Sequence, residues 1–180
     1  LKLEITIVTD AETYKKFKPL GFINYKLIEP ELGNKRNGEQ WNQLERCYAY
    51  DHSPYDTTIL MDCDYFCYTD NLLTYTNIDN DFLIHDKIHD LTGKDVYNFR
   101  KDSIIPMLWA TVIVFKKTER AKRIFDTVKY IKQHYQYFCK LYRIHFPNFR
   151  NDYAFSMAVN QVNGNTQQTF LPGKIPTLPA

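Results

Sequence analysis

Two carboxylates stand one residue apart at the end of an apolar run, where Thr57-Thr58-Ile59-Leu60-Met61 leads into Asp62-Cys63-Asp64. The β-branched and apolar residues predict a buried strand. On extended backbone, alternation points Asp62 and Asp64 to the same side. Two like charges that close repel, and each resists desolvation, unless a cation or strong donors sit between them. A hard divalent ion meets both demands, because it takes carboxylate oxygens and completes its shell with phosphates or water. In open α/β sheets the carboxyl ends of strands are also where ligands bind. The plain alternative is a pair of solvated aspartates at a strand exit.

The elements that must position this pair follow from the patterning. Leu3 to Val8 reads as a strand, and Asp10 as the cap of a short helix ending at Lys16. Pro19 and Gly21 break that pattern, Phe22 to Ile28 gives a second strand, and Pro30 ends it. A donor-rich turn, Asn34-Lys35-Arg36-Asn37-Gly38, precedes a helix from Trp41 to Tyr50 with Leu44, Cys47 and Tyr48 on one face. Ser53-Pro54 stops it, and the Asp62/Asp64 strand follows. This alternation is that of a parallel α/β sheet.

Beyond the pair, Tyr65 to Leu73 reads as a turn and short helix, and Phe82 to His85 as a brief strand. Residues 86–105 are polar, carry Gly93, Lys94, Arg100 and Lys101, and read as a loop, with His85 and His89 as ordinary loop histidines. Met107 to Phe115 is a further strand. Thr118 caps a long helix to about Cys139, with Ala121, Ile124, Phe125, Val128, Ile131, Tyr135 and Phe138 in helical register as core. Pro147 precedes a last helix, Asn151 to Val162, with Asp152 in its first turn where a carboxylate suits the dipole. Gly164 ends it, and a tail with Pro172, Pro176 and Pro179 reads as extended.

The chain has 180 residues, 44% hydrophobic and 24% charged, which is ordinary for one globular domain spanning 1–180. A net charge of +2 without a basic stripe argues against a nucleic-acid partner. No run of apolar residues is long enough for a membrane span, and the sequence from Leu1 onward reads without a secretory signal. Cys47, Cys63, Cys67 and Cys139 form no C-x-x-C pair, which favours reduced thiols in a cytoplasmic protein over a zinc site.

With these residues in place, Trp41 to Asn71 resembles the nucleotide-sugar transferases of the GT-A fold. The nearest likeness is to the family of glycogenin and the bacterial lipopolysaccharide galactosyltransferases, with their bacterial and phage relatives. The resemblance implies an α/β fold with a mixed, mostly parallel sheet flanked by helices. It implies transfer of a sugar from a nucleoside-diphosphate donor to a hydroxyl of a glycan, protein or other acceptor, with retention of configuration. Manganese, or magnesium, would be held against the donor diphosphate by Asp64 most directly and by Asp62, which also contacts the ribose. Arg46, 16 residues before Asp62, stands where the family places a basic residue facing the donor; a helix-surface arginine is the alternative. Asp152, in Asn151-Asp152-Tyr153-Ala154, corresponds to an acid that faces the transferred sugar or acceptor, against the plain role of a helix-opening aspartate. Thr9 and Asp10 fall where nucleotide contacts are made.

The chain departs from that pattern in several places. Trp109-Ala110-Thr111 replaces Asn-Ser-Gly before an apolar strand, no histidine follows His145, and Gly173-Lys174 is a trace of a phosphate-contacting segment. The first strand here corresponds to the family's second, so the chain reads as a minimal or N-terminally shortened version. Two other readings stay open. A haloacid-dehalogenase-type phosphatase also ends a strand in Asp-x-Asp, but it wants a Thr or Val soon after the pair, where Tyr65-Phe66 stands. A degenerate transferase that only binds a glycan or a protein is the other.

Overall fold

The computed structural model describes residues 3–16, 21, 23–29, 35–36, 39–40, 43–77, 79–90, 92–94, 104–145, 148–164 and 175–177. Pro19, Phe22, Pro30, Asn34, Asn37-Gly38, Trp41, Arg100, Lys101, Pro147, Pro172, Gly173-Lys174 and Pro179 lie outside the described residues, as does the side chain of Leu44. The chain is α/β and divides into two compact units, Leu1–Pro54 and Tyr55–Ala180.

In the first unit, strand β1 (Ile5–Thr9) leads through helix α1 (Ala11–Lys16) to strand β2 (Ile23–Leu27). The two strands pair in parallel, Ile5 opposite Ile23 through Thr9 opposite Leu27. The expected cap is formed: Asp10 Oδ1 accepts the Thr13 N–H at 2.8 Å and Oδ2 accepts the Thr13 hydroxyl at 2.6 Å. Tyr14 of α1 meets Tyr25 of β2 edge to face at 5.1 Å, which packs the helix on its sheet. Within and after the stretch expected as a turn, β3 (Lys35–Arg36) and β4 (Glu39–Gln40) pair antiparallel.

The single helix expected from Trp41 to Tyr50 is instead a 3₁₀ run, Gln43–Tyr48, followed by one turn of α-helix, α2 (Ala49–His52). Ser53 is extended, as the residue before a proline must be, and the helix stops there.

The second unit is built on a three-stranded sheet of β5 (Thr57–Met61), β6 (Phe82–His85) and, after β7 (Ile88–Asp90), β8 (Trp109–Lys116). The order is β5-β8-β6, and β8 is antiparallel to both neighbours. The expectation of a mostly parallel sheet therefore fails around the aspartate pair, although β1/β2 is parallel. The reason is β8: its near-continuous apolar run is buried on both faces, which suits the centre of a sheet, and it separates two strands of like direction.

Helix α3 (Glu119–Gln133) starts as predicted, with the Thr118 hydroxyl oxygen accepting the Ala121 N–H, and buries Ala121, Ile124, Phe125, Val128 and Ile131. It breaks at His134, and α4 (Tyr135–Leu141) continues in a separate segment, so the one long helix expected is two. At His134 (φ −120°, ψ 30°) the backbone leaves helical geometry, and its N–H is shared between the Tyr130 and Ile131 carbonyls. Helix α5 (Asn151–Val162) matches its predicted bounds and is buried from Tyr153 to Val159. Phe82, Phe115, Phe125 and Phe155 form the centre of the core, with Phe125 edge-on to the other three at 4.9–5.9 Å.

The polar stretch read as a loop contains β7, which pairs in parallel with β9 (Ile175–Thr177). The histidines are corrected with it: His85 closes β6 and is buried, and His89 lies in β7. None of the described helices is long and apolar enough to cross a membrane.

Candidate functional site

The carboxyl ends of β5 and β6 and the start of β8 share one end of the three-stranded sheet, since Met61 pairs with Val112 and His85 with Trp109. The last rung of β5 is the Asp62 N–H donating to the Thr111 carbonyl at 3.2 Å. Extended backbone ends there. The Tyr65 N–H donates to the Asp62 carbonyl at 3.1 Å, so Asp62-Cys63-Asp64-Tyr65 is a β-turn. The two carboxylates therefore leave the sheet from the first and third positions of a turn, and strand alternation does not govern their direction. Asp62 is half-buried and Asp64 exposed.

One residue back on β8, the Ala110 N–H donates to Asp152 Oδ1 at 2.9 Å, and Arg150 donates to Asp152 Oδ2 at 2.9 Å. Neighbouring residues of β8 thus hold the Asp62 backbone and the Asp152 side chain. The Ser156 hydroxyl donates to the Asp152 carbonyl at 2.6 Å and accepts the Leu108 N–H at 2.7 Å, a second tie between α5 and the approach to β8. The Arg150 guanidinium also lies 5.1 Å over the Tyr153 ring. Asp152 is therefore a tie between helix and strand as well as an acid at this end of the sheet.

Arg150 and Ser156 were not singled out by sequence reasoning. An arginine two residues before an acid at a helix start was the available signal for the first. Ser156, one turn after Asp152, gave none.

Thr9, Asp10 and Arg46 belong to the first unit, and Asp62, Asp64 and Asp152 to the second. The Thr9 hydroxyl donates weakly to the Asp10 carbonyl at 3.4 Å. Bonds from the Thr13 hydroxyl and then the Thr13 N–H hold the Asp10 carboxyl below its ordinary range, so it caps α1 as an anion. Arg46 is half-buried in the 3₁₀ run.

Among the described residues no group of three or more His, Cys, Asp or Glu side chains is placed to hold a metal ion. Asp62 and Asp64 supply two hard oxygen donors on a solvent-facing turn. That set fits a divalent cation of the magnesium or manganese kind, which keeps most of its shell for phosphate and water. The Tyr65 phenol beside them is pushed up by burial, with the Cys67 thiol adding to the effect, and so remains a neutral hydrogen-bond donor. All four cysteines are free thiols, Cys63 and Cys67 exposed and Cys47 and Cys139 buried.

Compared with protein-family models, curated proteins and solved structures, the chain matches none of them.

Proposed function

We propose that the chain is a metal-dependent glycosyltransferase of the GT-A kind, moving a sugar from a nucleoside diphosphate to an acceptor hydroxyl. One observation carries this reading: the Asp62–Asp64 turn and Asp152 lie at the same end of β8, held by consecutive residues. Asp62 and Asp64 would hold the divalent cation, which supplies positive charge to the departing diphosphate. The resemblance further implies that Arg46, a residue of the first unit with fixed charge and forked donors, contacts the donor. Asp152, kept in place by Ala110 and Arg150, orients the acceptor hydroxyl or the transferred sugar. The same resemblance implies Thr9 and Asp10, also in the first unit, as nucleotide contacts.

A thermal-shift series with nucleoside diphosphates and their sugars, with and without manganese, tests the reading. At a hundredfold excess over Kd a ligand stabilises the native state by about 2.7 kcal/mol, which for a chain of this size is about 5–10 °C in Tm. The shift is expected only when metal and nucleotide are both present, and Asp64→Asn should abolish it while leaving the unliganded Tm unchanged. No shift with any nucleotide in the wild-type protein would refute the transferase.

A further inference from the structure

Directly after the aspartate turn the chain displays two large rings to solvent. Phe66 is 62% and Tyr68 86% exposed, their planes 27° from parallel and their centroids 6.4 Å apart. Exposed aromatic surface is unfavourable in water, and a paired display of it beside polar groups marks a contact surface. The loop that carries the rings is held to the strand end at two points. The Tyr65 N–H bonds the Asp62 carbonyl, and Cys67, between the two rings, brings its Sγ to 3.6 Å from Sδ of Met61. The loop that carries the rings therefore leaves the same end of β5 as the two aspartates.

Charge narrows the choice of ligand. From Thr57 to Asp86 there is no Lys or Arg, and Asp62, Asp64, Asp70, Asp79, Asp81 and Asp86 make this stretch acidic. Without a bound cation to offset that charge, a phosphate, a nucleic acid or an anionic bilayer would be repelled. A quaternary ammonium would be attracted, but such cations are gripped by rings that enclose and desolvate them, and Phe66 and Tyr68 are open to water. A neutral saccharide meets every condition. The C–H face of a pyranose stacks on an aromatic face, its hydroxyls are partners for carboxylates and phenols of the kind this stretch carries, and it has no charge to be repelled.

We infer that Phe66 and Tyr68 form a stacking platform for a neutral pyranose, the acceptor sugar of the reaction proposed above. The acceptor role rests on that reading; the sugar contact itself does not. The acceptor is accordingly a glycan, and its ring is presented to the Asp62–Asp64 end of β5 from the side of the 66–68 loop.

Saturation-transfer NMR with lactose and with maltose, on the full chain without metal or nucleotide, tests the contact. Saturation of ring C–H protons is expected for at least one of the two sugars in the wild-type protein. The Phe66→Ala/Tyr68→Ala double variant should weaken binding about tenfold, the effect of two lost ring contacts. Phe66→Tyr/Tyr68→Trp, which keeps both rings, should restore it. Neither side chain is buried, so all three proteins should share one Tm.

Absence of saturation by both sugars, or binding undiminished in the double alanine variant, overturns the platform. So does ring-dependent binding of choline, or ring-dependent sedimentation with phosphatidylcholine vesicles, in place of sugar binding. Ring-dependent sugar binding without manganese-dependent nucleotide binding supports the platform and removes the transferase. Nucleotide binding without sugar binding does the reverse.

Discussion

Asp152 is where structural and chemical roles can be separated by two substitutions. Its carboxylate accepts the N–H of Ala110, a residue 2% exposed, and pairs with Arg150 at 2.9 Å with side chains 17% and 23% exposed. Asp152→Ala removes the acceptor of a buried backbone N–H, which costs about 1–3 kcal/mol. Loss of the half-buried ion pair adds about 0.2–1 kcal/mol. The sum, about 1–4 kcal/mol, lowers Tm by about 2–16 °C for a chain of this size. Asp152→Asn keeps an oxygen for the Ala110 N–H and gives up only the charge facing Arg150, a loss of about 1 kcal/mol or less. Urea or thermal denaturation of both variants supplies the stability scale, and sugar transfer or donor hydrolysis supplies the activity. Near-normal stability with turnover lost in Asp152→Asn identifies a chemical role beyond the tie. Equal destabilisation by the two substitutions, or a loss under about 0.5 kcal/mol in Asp152→Ala, would refute the argument that the bond to Ala110 holds α5 against β8.

Two further outcomes follow from the core and from its buried acids. Phe125 has no exposed surface and touches the other three core rings, so Phe125→Ala should cost about 3–5 kcal/mol, read as a lower urea midpoint at unchanged m-value; a loss under about 1 kcal/mol would mean the ring is not central to packing. Burial pushes the Tyr135 phenol, the Cys139 thiol and the Tyr153 phenol up, so the folded chain keeps protons that the unfolded chain releases above about pH 8.5 for the thiol and about pH 10 for the phenols. Their contribution is complete below those values and is lost as pH rises through them, at up to about 1.4 kcal/mol per pH unit for each group. Tyr135→Phe should flatten the alkaline limb of the stability curve, and an unchanged slope would refute the assignment.

What could be read from the sequence was the part written in neighbouring residues. Helix α5 was found to its bounds because its apolar positions repeat within one segment and Gly164, at φ 61°, closes it. The Thr118 and Asp10 caps were found because each bonds a backbone N–H three residues on. The misses are of another kind. The β7–β9 pair joins Ile88 to Ile175, and Pro176 among its partners reads locally as a strand breaker. Nothing near Ile88 signals a partner so distant. The direction of β8 is likewise a tertiary result, since a buried apolar strand looks the same whether its neighbours run with it or against it.

The aspartate pair shows where local reading turns. The residues were legible and their geometry was not, because the argument from alternation assumed that the strand ran on through Asp64. The bond from Tyr65 to the Asp62 carbonyl closes a turn instead. That turn exposes more of this segment than a continued strand would. A strand leaves the residues after the pair on the sheet, whereas the turn carries Asp64, Phe66 and Tyr68 out toward solvent. The same backbone bond therefore explains why Asp64 is exposed and why two aromatic rings that follow it are exposed as well.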